Sequence, residues 1–410
     1  MEKLLSVEEA RNRILSRFSS NASVSSSLLA AQGKVLAEDM FAVLDLPPFA
    51  NSSMDGFALR AEDVQNARED QPVELQVIEN IPAGVTPRKF LTVGTTSRIM
   101  TGAPMPAGAT AVVPVEFTNF SDRYNEQKLP DRILVKKAVD DGDYVRPTGQ
   151  DIRAGQKIFN KGSILRPQDL GVLAAQGIDQ VNIIRTPKVA MLSSGDELEK
   201  PGIPLKSGKI YDSNTTTIQS LIQSFGAEVI NLGVVRDRMA AIKTKLAKIP
   251  SLDVDLIVST AGVSVGVYDL IRDAILEDGN LNFWKVNMKP GKPLTFGEFH
   301  QVPFLGLPGN PVSAYVSALI FIKPVIQKLL GLNTAMEFFP CILEEDVFSD
   351  GRESYLRVII EQKEGVYKAK LAQHQGSGNL FSLVCANALL IIPAGVKSLA
   401  TGEKTKFFWI

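Results

Sequence analysis

Five short segments of this 410-residue sequence gather side chains able to do chemistry. They are Ser193-Ser194-Gly195-Asp196-Glu197, Arg236-Asp237, the run 259–266 with Asp269 behind it, Lys289-Pro290-Gly291-Lys292-Pro293, and Pro308-Gly309-Asn310-Pro311 with Ser313. The set suits a phosphorylated ligand bound together with a metal ion. Gly262 and Gly266 let backbone N–H groups approach a phosphate closely, and helices starting near 268 and 312 would aim their N-termini at an anion. Lys289 and Lys292 can neutralise a phosphate or another oxyanion. Asp196, Glu197, Asp237 and Asp269 can hold Mg²⁺. A divalent ion on a phosphoanhydride stabilises the charge that develops on cleavage. Each segment also has a plainer reading. The Gly/Ser loop is a turn, Asp237 caps a helix, Lys289 to Pro293 is an exposed turn, and Pro-Gly-Asn-Pro is a tight turn. Convergence of all five on one rim favours the chemical reading.

The elements that would bring them together are legible in the hydrophobic pattern. From about 186 to 331, strands are expected at 188–192, 228–235, 255–260, 283–286 and 302–306. Helices are expected at 214–225, 239–247, 268–276 and 312–330. This alternation implies a mostly parallel sheet covered on both faces, and such sheets bind ligands beyond the carboxyl ends of their strands. Each of the five segments follows a strand. Upstream, Ser6 and Glu9 have capping-box spacing, and Val7, Ile14, Leu15 and Phe18 recur at helical intervals, so 7–30 reads as helix. From 34 to 180 short apolar runs such as 73–78, 111–115 and 132–135 alternate with Gly/Pro turns, the pattern of a β-rich region. Beyond Gly331, 355–360 and 366–371 again read as strands, giving a small C-terminal β domain.

Composition narrows the function classes. The chain holds 44 Lys+Arg against 45 Asp+Glu, so it lacks the cationic excess of a nucleic-acid-binding protein. With 45% hydrophobic and 22% charged residues it is not a mostly disordered chain. Cys341 and Cys385 stand far apart without a C-x-x-C, which excludes a disulfide framework and a structural zinc site. His300 and His374 are the two histidines, so any metal has to sit on oxygen ligands, as Mg²⁺ does. The first residues lack the apolar core of a signal peptide, and the apolar run 312–322 is short for a bilayer span. A cytoplasmic protein without membrane contact is expected, of about two to four domains.

A second constellation lies in the N-terminal half. It comprises Pro47 to Ala58 with its Asp55-Gly56 turn signal, Arg98 to Pro106 around Thr101, and Gly149 to Ile152 around Asp151. Together with Ser193 to Leu198, Thr260 to Asp269, Lys289 to Pro293, Gly306 to Ala314, Gln375 to Ser377 and Ala386 to Ala388, these segments resemble the molybdopterin molybdenumtransferase (MoeA-like) family, which includes the gephyrin E domain. The similarity runs nearly end to end.

The resemblance implies a multidomain α/β plus β fold. A Rossmann-like three-layer α/β molybdopterin-binding domain would span 181–331, and a C-terminal β-barrel domain 332–410. A β-rich domain at 47–150 would be inserted into a small linking domain of 28–46 and 151–180, and an N-terminal helix in 1–27 would pack with the α/β domain. Homodimers are implied, with Asp55, Thr101 and Asp151 completing a site from across the dimer. The implied reaction is insertion of molybdate into adenylylated molybdopterin, with Mg²⁺-dependent release of AMP. Glu197, Asp237 and Asp269 match acidic, metal-binding positions, joined in catalysis by Asp55 and Thr101. Gly262, Ser264, Gly266, Lys289, Lys292, Pro308, Asn310, Ser313, Ser377 and Asp151 match ligand-binding positions. An adenylyltransferase and apo-molybdoenzymes or their chaperones are the implied partners.

Two departures stand out. Ala261 replaces the first glycine of the family's usual Gly-Gly, and Val267 stands where an acid is common. The rival readings are an adenylyltransferase or nucleotide amidohydrolase on the same α/β module, a non-catalytic scaffold, and a tungsten-handling paralogue.

Overall fold

The protein is described from a computed structural model covering residues 4–120, 129–260 and 270–410. The chain forms two compact units. One comprises Met1–Ser25, Gly33–Ala37 and Asn182–Ile410, the other Ser26–Gln32 and Glu38–Val181.

The larger unit contains a six-stranded sheet ordered Glu228–Val235, Lys188–Ser194, Leu256–Thr260, Val302–Leu307, Pro293–Phe299 and Gly279–Lys285. The first four strands are mutually parallel. Pro293–Phe299 opposes both its neighbours, so Gly279–Lys285 runs with the majority again. Five strands therefore end on one rim. The central strands are apolar on both faces. Val189 to Leu192 and Leu256 to Val258 are all buried, as a sheet covered by helices on both sides requires. One face packs against helices Val7–Leu15, Ser213–Ser224 and the long helix from Pro311, the other against Met239–Leu246 and Leu270–Asp278. This α/β layer bears out the expected fold class. The strand Pro293–Phe299 was not anticipated, its first residue falling in the segment Lys289 to Pro293, for which a turn was one reading.

One sequence expectation needs correction. The N-terminal helix ends at Leu15, not near residue 30, and Ser23–Ser27 is a strand. Ser6 does cap it, its Oγ accepting the Glu9 N–H at 3.1 Å. The serines beyond Arg17 bond locally to backbone and so compete with helical bonding, as Ser20 and Ser26 do. The helix expected at 312–330 is present almost residue for residue. Helix continues over Pro311–Leu329, long and apolar enough to cross a membrane, but 78% of its apolar window is buried inside this unit as the core helix. It passes Pro324 through a π turn at Ala318–Ile322, which absorbs the missing proline N–H.

Five strands close a barrel at the end of the chain. Phe339–Leu343 pairs with Val366–Leu371, which pairs with Glu353–Lys363, then Ala388–Ile392, then Lys404–Trp409, which returns to Phe339–Leu343. Closure leaves no free sheet edge, and Cys341, Val358, Leu390 and Phe407 fill the interior. Burial raises the Cys341 thiol to about 11, which makes it a core residue and not a nucleophile. The two-residue strand Met288–Lys289 lies parallel to the start of Glu353–Lys363, joining the α/β layer to the barrel.

The smaller unit holds a five-stranded sheet ordered Ala111–Pro114, Gly56–Leu59, Thr95–Ile99, Val73–Ile81 and Arg132–Val135. Phe57, Leu75, Val113 and Ile133 form its core. Its one α-helix among the described residues, Pro167–Ala175, starts at Arg166, whose backbone N–H donates to Asp169 Oδ2 at 2.9 Å. The Arg166 guanidinium also donates twice to this buried carboxylate, at 3.0 and 2.9 Å. These bonds hold the Asp169 carboxyl below its ordinary 3.8. Asp169→Asn is expected to destabilise this unit by about 1 kcal/mol, as loss of a capping interaction does. A group with a depressed folded pKa stabilises above its unfolded value and loses that contribution as pH falls through the folded one. Urea titrations of the two proteins should therefore differ at neutral pH and converge as pH falls below 3.8 through the depressed folded value.

Candidate active site

The strand rim of the α/β layer is built from hydroxyls and carboxylates. Lys188–Ser194 ends in Ser193, whose Oγ lies 2.5 Å from Thr215 Oγ1 and 2.6 Å from Thr260 Oγ1. Asp212 caps helix Ser213–Ser224 by accepting the Thr215 N–H at 3.0 Å, and it also accepts the Thr215 hydroxyl. This buried relay locks the ends of two strands and one helix. Gly195 follows with φ +153°, and a Cβ there would lie 2.8 Å from Glu197 Oε2, so the tight turn over which Glu197 folds excludes a side chain.

Asp237 stands beside that turn, its carboxylate accepting the Asp196 N–H and the Ser194 hydroxyl. Burial pushes its carboxyl above the ordinary carboxylate range, and the nearby charges of Asp196 and Glu197 push it further. Two of the expected acids, Glu197 and Asp237, thus share one electrostatic neighbourhood. Asp269, Gly262, Ser264 and Gly266, with Val267, lie outside the described residues.

A cavity of about 500 Å³ opens at this rim, lined by Glu197, Thr260, Pro308, Asn310 and Ser313 among others. A second cavity of about 650 Å³ lies between the α/β layer and the barrel. It holds Lys289, Lys292 and Ser377, and it shares Pro293, Asn310 and Ser313 with the first. Asn310 Nδ2 donates to Ser377 Oγ at 3.1 Å, and the Val312 N–H donates to the Ser377 carbonyl at 3.1 Å, so a barrel loop is pinned to the start of the core helix. The lysine turn is tight for a packing reason. Gly291 has φ +108°, and a Cβ there would lie 2.8 Å from Ser317 Oγ. Carboxylates therefore sit at the rim end of this double cavity and cations at the barrel end.

Four lining residues were not singled out from sequence. Arg352 binds Asp350 through Nε and a terminal nitrogen, at 3.1 and 2.6 Å, and donates to the Met288 carbonyl at 3.0 Å. Lys289 Nζ is 3.7 Å from Asp350 Oδ2. Arg357 is fully buried, and burial alone draws its guanidinium down to about 10, so it stays charged at neutral pH. It donates to Ser382 Oγ and to the carbonyls of His374 and Gly376, at 3.0, 3.2 and 3.0 Å, and thereby shapes the loop that carries Ser377. Tyr355 and His374 complete the wall. An arginine inside the apolar strand Tyr355-Leu-Arg-Val-Ile-Ile was the available signal.

Asp55, Thr101 and Asp151 belong to the smaller unit. Thr101 donates both its N–H and its hydroxyl to Asp55 Oδ1, at 2.8 and 2.7 Å, so these two form one group. Asp151 is exposed, its N–H bonded to the Leu46 carbonyl at 2.8 Å.

Comparison with known proteins accounts for almost the whole chain. Residues 5–177 match the MoeA N-terminal region (domains I and II), 190–328 a probable molybdopterin binding domain, and 340–408 the MoeA C-terminal region (domain IV). A molybdopterin molybdenumtransferase from Nostoc sp. is 36% identical over 384 residues, covering 92% of this chain and 86% of the relative. The chain belongs to the molybdopterin molybdenumtransferase family. A member from Haemophilus influenzae is 35% identical over 333 residues, 80% of this chain and 78% of the relative. The crystal structure of the molybdopterin biosynthesis MoeA protein from Pyrococcus horikoshii superposes with a TM-score of 0.82 at 32% identity, covering 99% of both chains. The multidomain α/β plus β fold read from the residues is the molybdopterin molybdenumtransferase fold.

Proposed function

We propose that this chain inserts molybdate into adenylylated molybdopterin with Mg²⁺-dependent release of AMP, yielding the molybdenum cofactor. The observation that carries this reading is the double cavity, with carboxylates at one end, Lys289 and Lys292 at the other, and Asn310 and Ser313 common to both. A substrate with a phosphoanhydride beside a site for an oxyanion needs that polarity. The donor set also suits Mg²⁺. Among the described residues no three His, Cys, Asp or Glu side chains form a ready metal cage. Mg²⁺ is commonly held by one or two carboxylates plus substrate phosphates and water, which Glu197 and Asp237 can supply, with Asp269 as a third by its motif. Burial is what chiefly raises Asp237, and the added repulsion from Asp196 and Glu197 is what a cation would relieve. Bound there, Mg²⁺ would stabilise negative charge on the anhydride oxygens.

The chain's own contributions follow from placement. Lys289 and Lys292 hold the anions, Asn310 and Ser313 orient the junction between the two cavities, and Arg357 sets the position of Ser377. Asp55, Thr101 and Asp151 would reach the site from a second subunit, so the working form in this reading is a homodimer. Substrate would arrive from a cytoplasmic adenylyltransferase, and product would leave to an apo-molybdoenzyme or its chaperone.

The test supplies purified chain with adenylylated molybdopterin, Mg²⁺ and molybdate, and follows AMP release and reconstitution of an apo-molybdoenzyme. Both are expected, both stop on adding EDTA, and the Mg²⁺ requirement rises as pH falls, because Asp237 exchanges the ion for a proton. Tight binding without AMP or cofactor would instead mark a non-catalytic scaffold.

A further inference from the structure

The rim cavity contains a feature that anion and metal binding leave unused. Tyr211 lines it with 43% of its surface exposed. Its hydroxyl is already committed, donating to the Ile203 carbonyl at 3.0 Å. Its backbone is braced as well. Ile210 and Asp212 donate N–H bonds to the carbonyls of Glu197 and Glu199, both at 2.9 Å, in a short parallel ladder that places Tyr211 opposite Glu199. The segment that carries the acid of the site thus also fixes the ring. Tyr211 is anchored at both ends and lines the cavity with its hydroxyl occupied, which suits a stacking platform and not an acid or base.

The rest of the cavity agrees. Its described lining has no lysine or arginine. Three prolines, Pro293, Pro308 and Pro311, add rigid apolar surface, and neutral donors and acceptors come from Asn214, Asn310 and Ser313. Asn214 is itself oriented, donating to the Gly309 carbonyl at 2.6 Å. Such a cavity takes phosphate only with the cation that its carboxylates hold, and it accepts a planar ring with polar edges. The phosphates of the same molecule would lie along the shared Asn310–Ser313 boundary, between the carboxylates with their Mg²⁺ and the lysines.

We infer that Tyr211 is the stacking wall for a bicyclic heteroaromatic ring of the substrate. The inference rests on the transferase reading, in which the substrate carries two such rings, a purine and a pterin. The experiment distinguishes them. Calorimetry on the full chain measures binding of AMP and, separately, of 6-hydroxymethylpterin phosphate, to the unaltered protein, Tyr211→Leu and Tyr211→Phe. Tyr211→Leu is expected to weaken the ligand whose ring stacks by about 5- to 150-fold, the range found when an aromatic platform under a base is removed. Tyr211→Phe keeps the ring and is expected to stay within about threefold, since its hydroxyl touches backbone alone. The thermal midpoint of each variant reports that the fold is kept. Equal affinity of Tyr211→Leu and the unaltered chain for both probes overturns the inference, as does an unaltered chain that binds neither. A chain that releases AMP in the insertion assay while Tyr211→Leu binds normally defeats the stacking wall alone. One that binds AMP through Tyr211 but never releases it from adenylylated molybdopterin defeats the transferase reading alone.

Discussion

Lys292→Met should lower cofactor formation by about 100-fold or more at limiting molybdate, the cost of removing one preorganised charge donor from an anion site. The substitution is nearly isosteric along its stem and removes the charge alone. Among the described residues Lys292 makes no ion pair or side-chain hydrogen bond, so nothing in the fold depends on its ammonium. Lys289 differs, because Asp350 already lies 3.7 Å from it. The melting temperature of Lys292→Met should match that of the unaltered chain, and raising molybdate should recover part of the rate. A ground-state anion ligand shows itself in the half-saturating concentration as well as in the maximal rate. Unchanged turnover at limiting molybdate would remove Lys292 from the site.

Arg357→Met should act on stability and turnover together. Three hydrogen bonds from a buried guanidinium are lost, and the carbonyls of His374 and Gly376 and the Ser382 hydroxyl lose their donor. Each buried polar group left unpaired costs about 1–3 kcal/mol, and relief of the buried charge offsets part of that sum. A net loss of about 2–4 kcal/mol in urea unfolding is expected. Ser377 then loses its fixed place against Asn310, and misplacement of a binding group by about 1 Å is worth about 100-fold in rate. Arg357→Lys separates the two effects, since it keeps the charge but lacks the planar fork that reaches several acceptors at once. It should retain more stability than the Met variant while remaining slow.

Much of the α/β layer was legible because its strands are continuous buried runs and its helices amphipathic. Val229 to Val235 and Met239 to Leu246 fall where the pattern puts them. The rim was legible for the same reason, since residues that follow buried strands must emerge on one side of a parallel sheet. The N-terminal helix was overextended because Val24 and Leu28 continue an apolar rhythm that local serine bonding defeats. Barrel strands such as Phe339–Leu343 and Lys404–Trp409 went unread because closure around Phe407 depends on partners distant in sequence. Arg357 and Arg352 escaped for a related reason. Arg357 left one local mark, a charge inside an apolar strand, but its partners are the carbonyls of a loop near residue 375, and Arg352 gains its place from the distant Met288 carbonyl. Tyr211 carries a signal only when its hydroxyl is seen to be occupied.

The two-residue ladder between Met288–Lys289 and the head of Glu353–Lys363 bears on how this chain can be divided. On its other side the turn is stitched to the start of the chain, where the Asn287 N–H donates to the Leu5 carbonyl. The molybdopterin-binding and C-terminal segments look separable, with the boundary falling between residues 328 and 340. A gene split there would produce one fragment with a raw strand at residue 288 and another with a raw strand at residue 353. Each would expose the hydrogen-bonding groups the other was made to cover. Coexpressed, the halves should reassemble by complementation. Expressed singly, each should give less soluble protein than the coexpressed pair, because in this chain each wall of the cleft finishes the other's sheet.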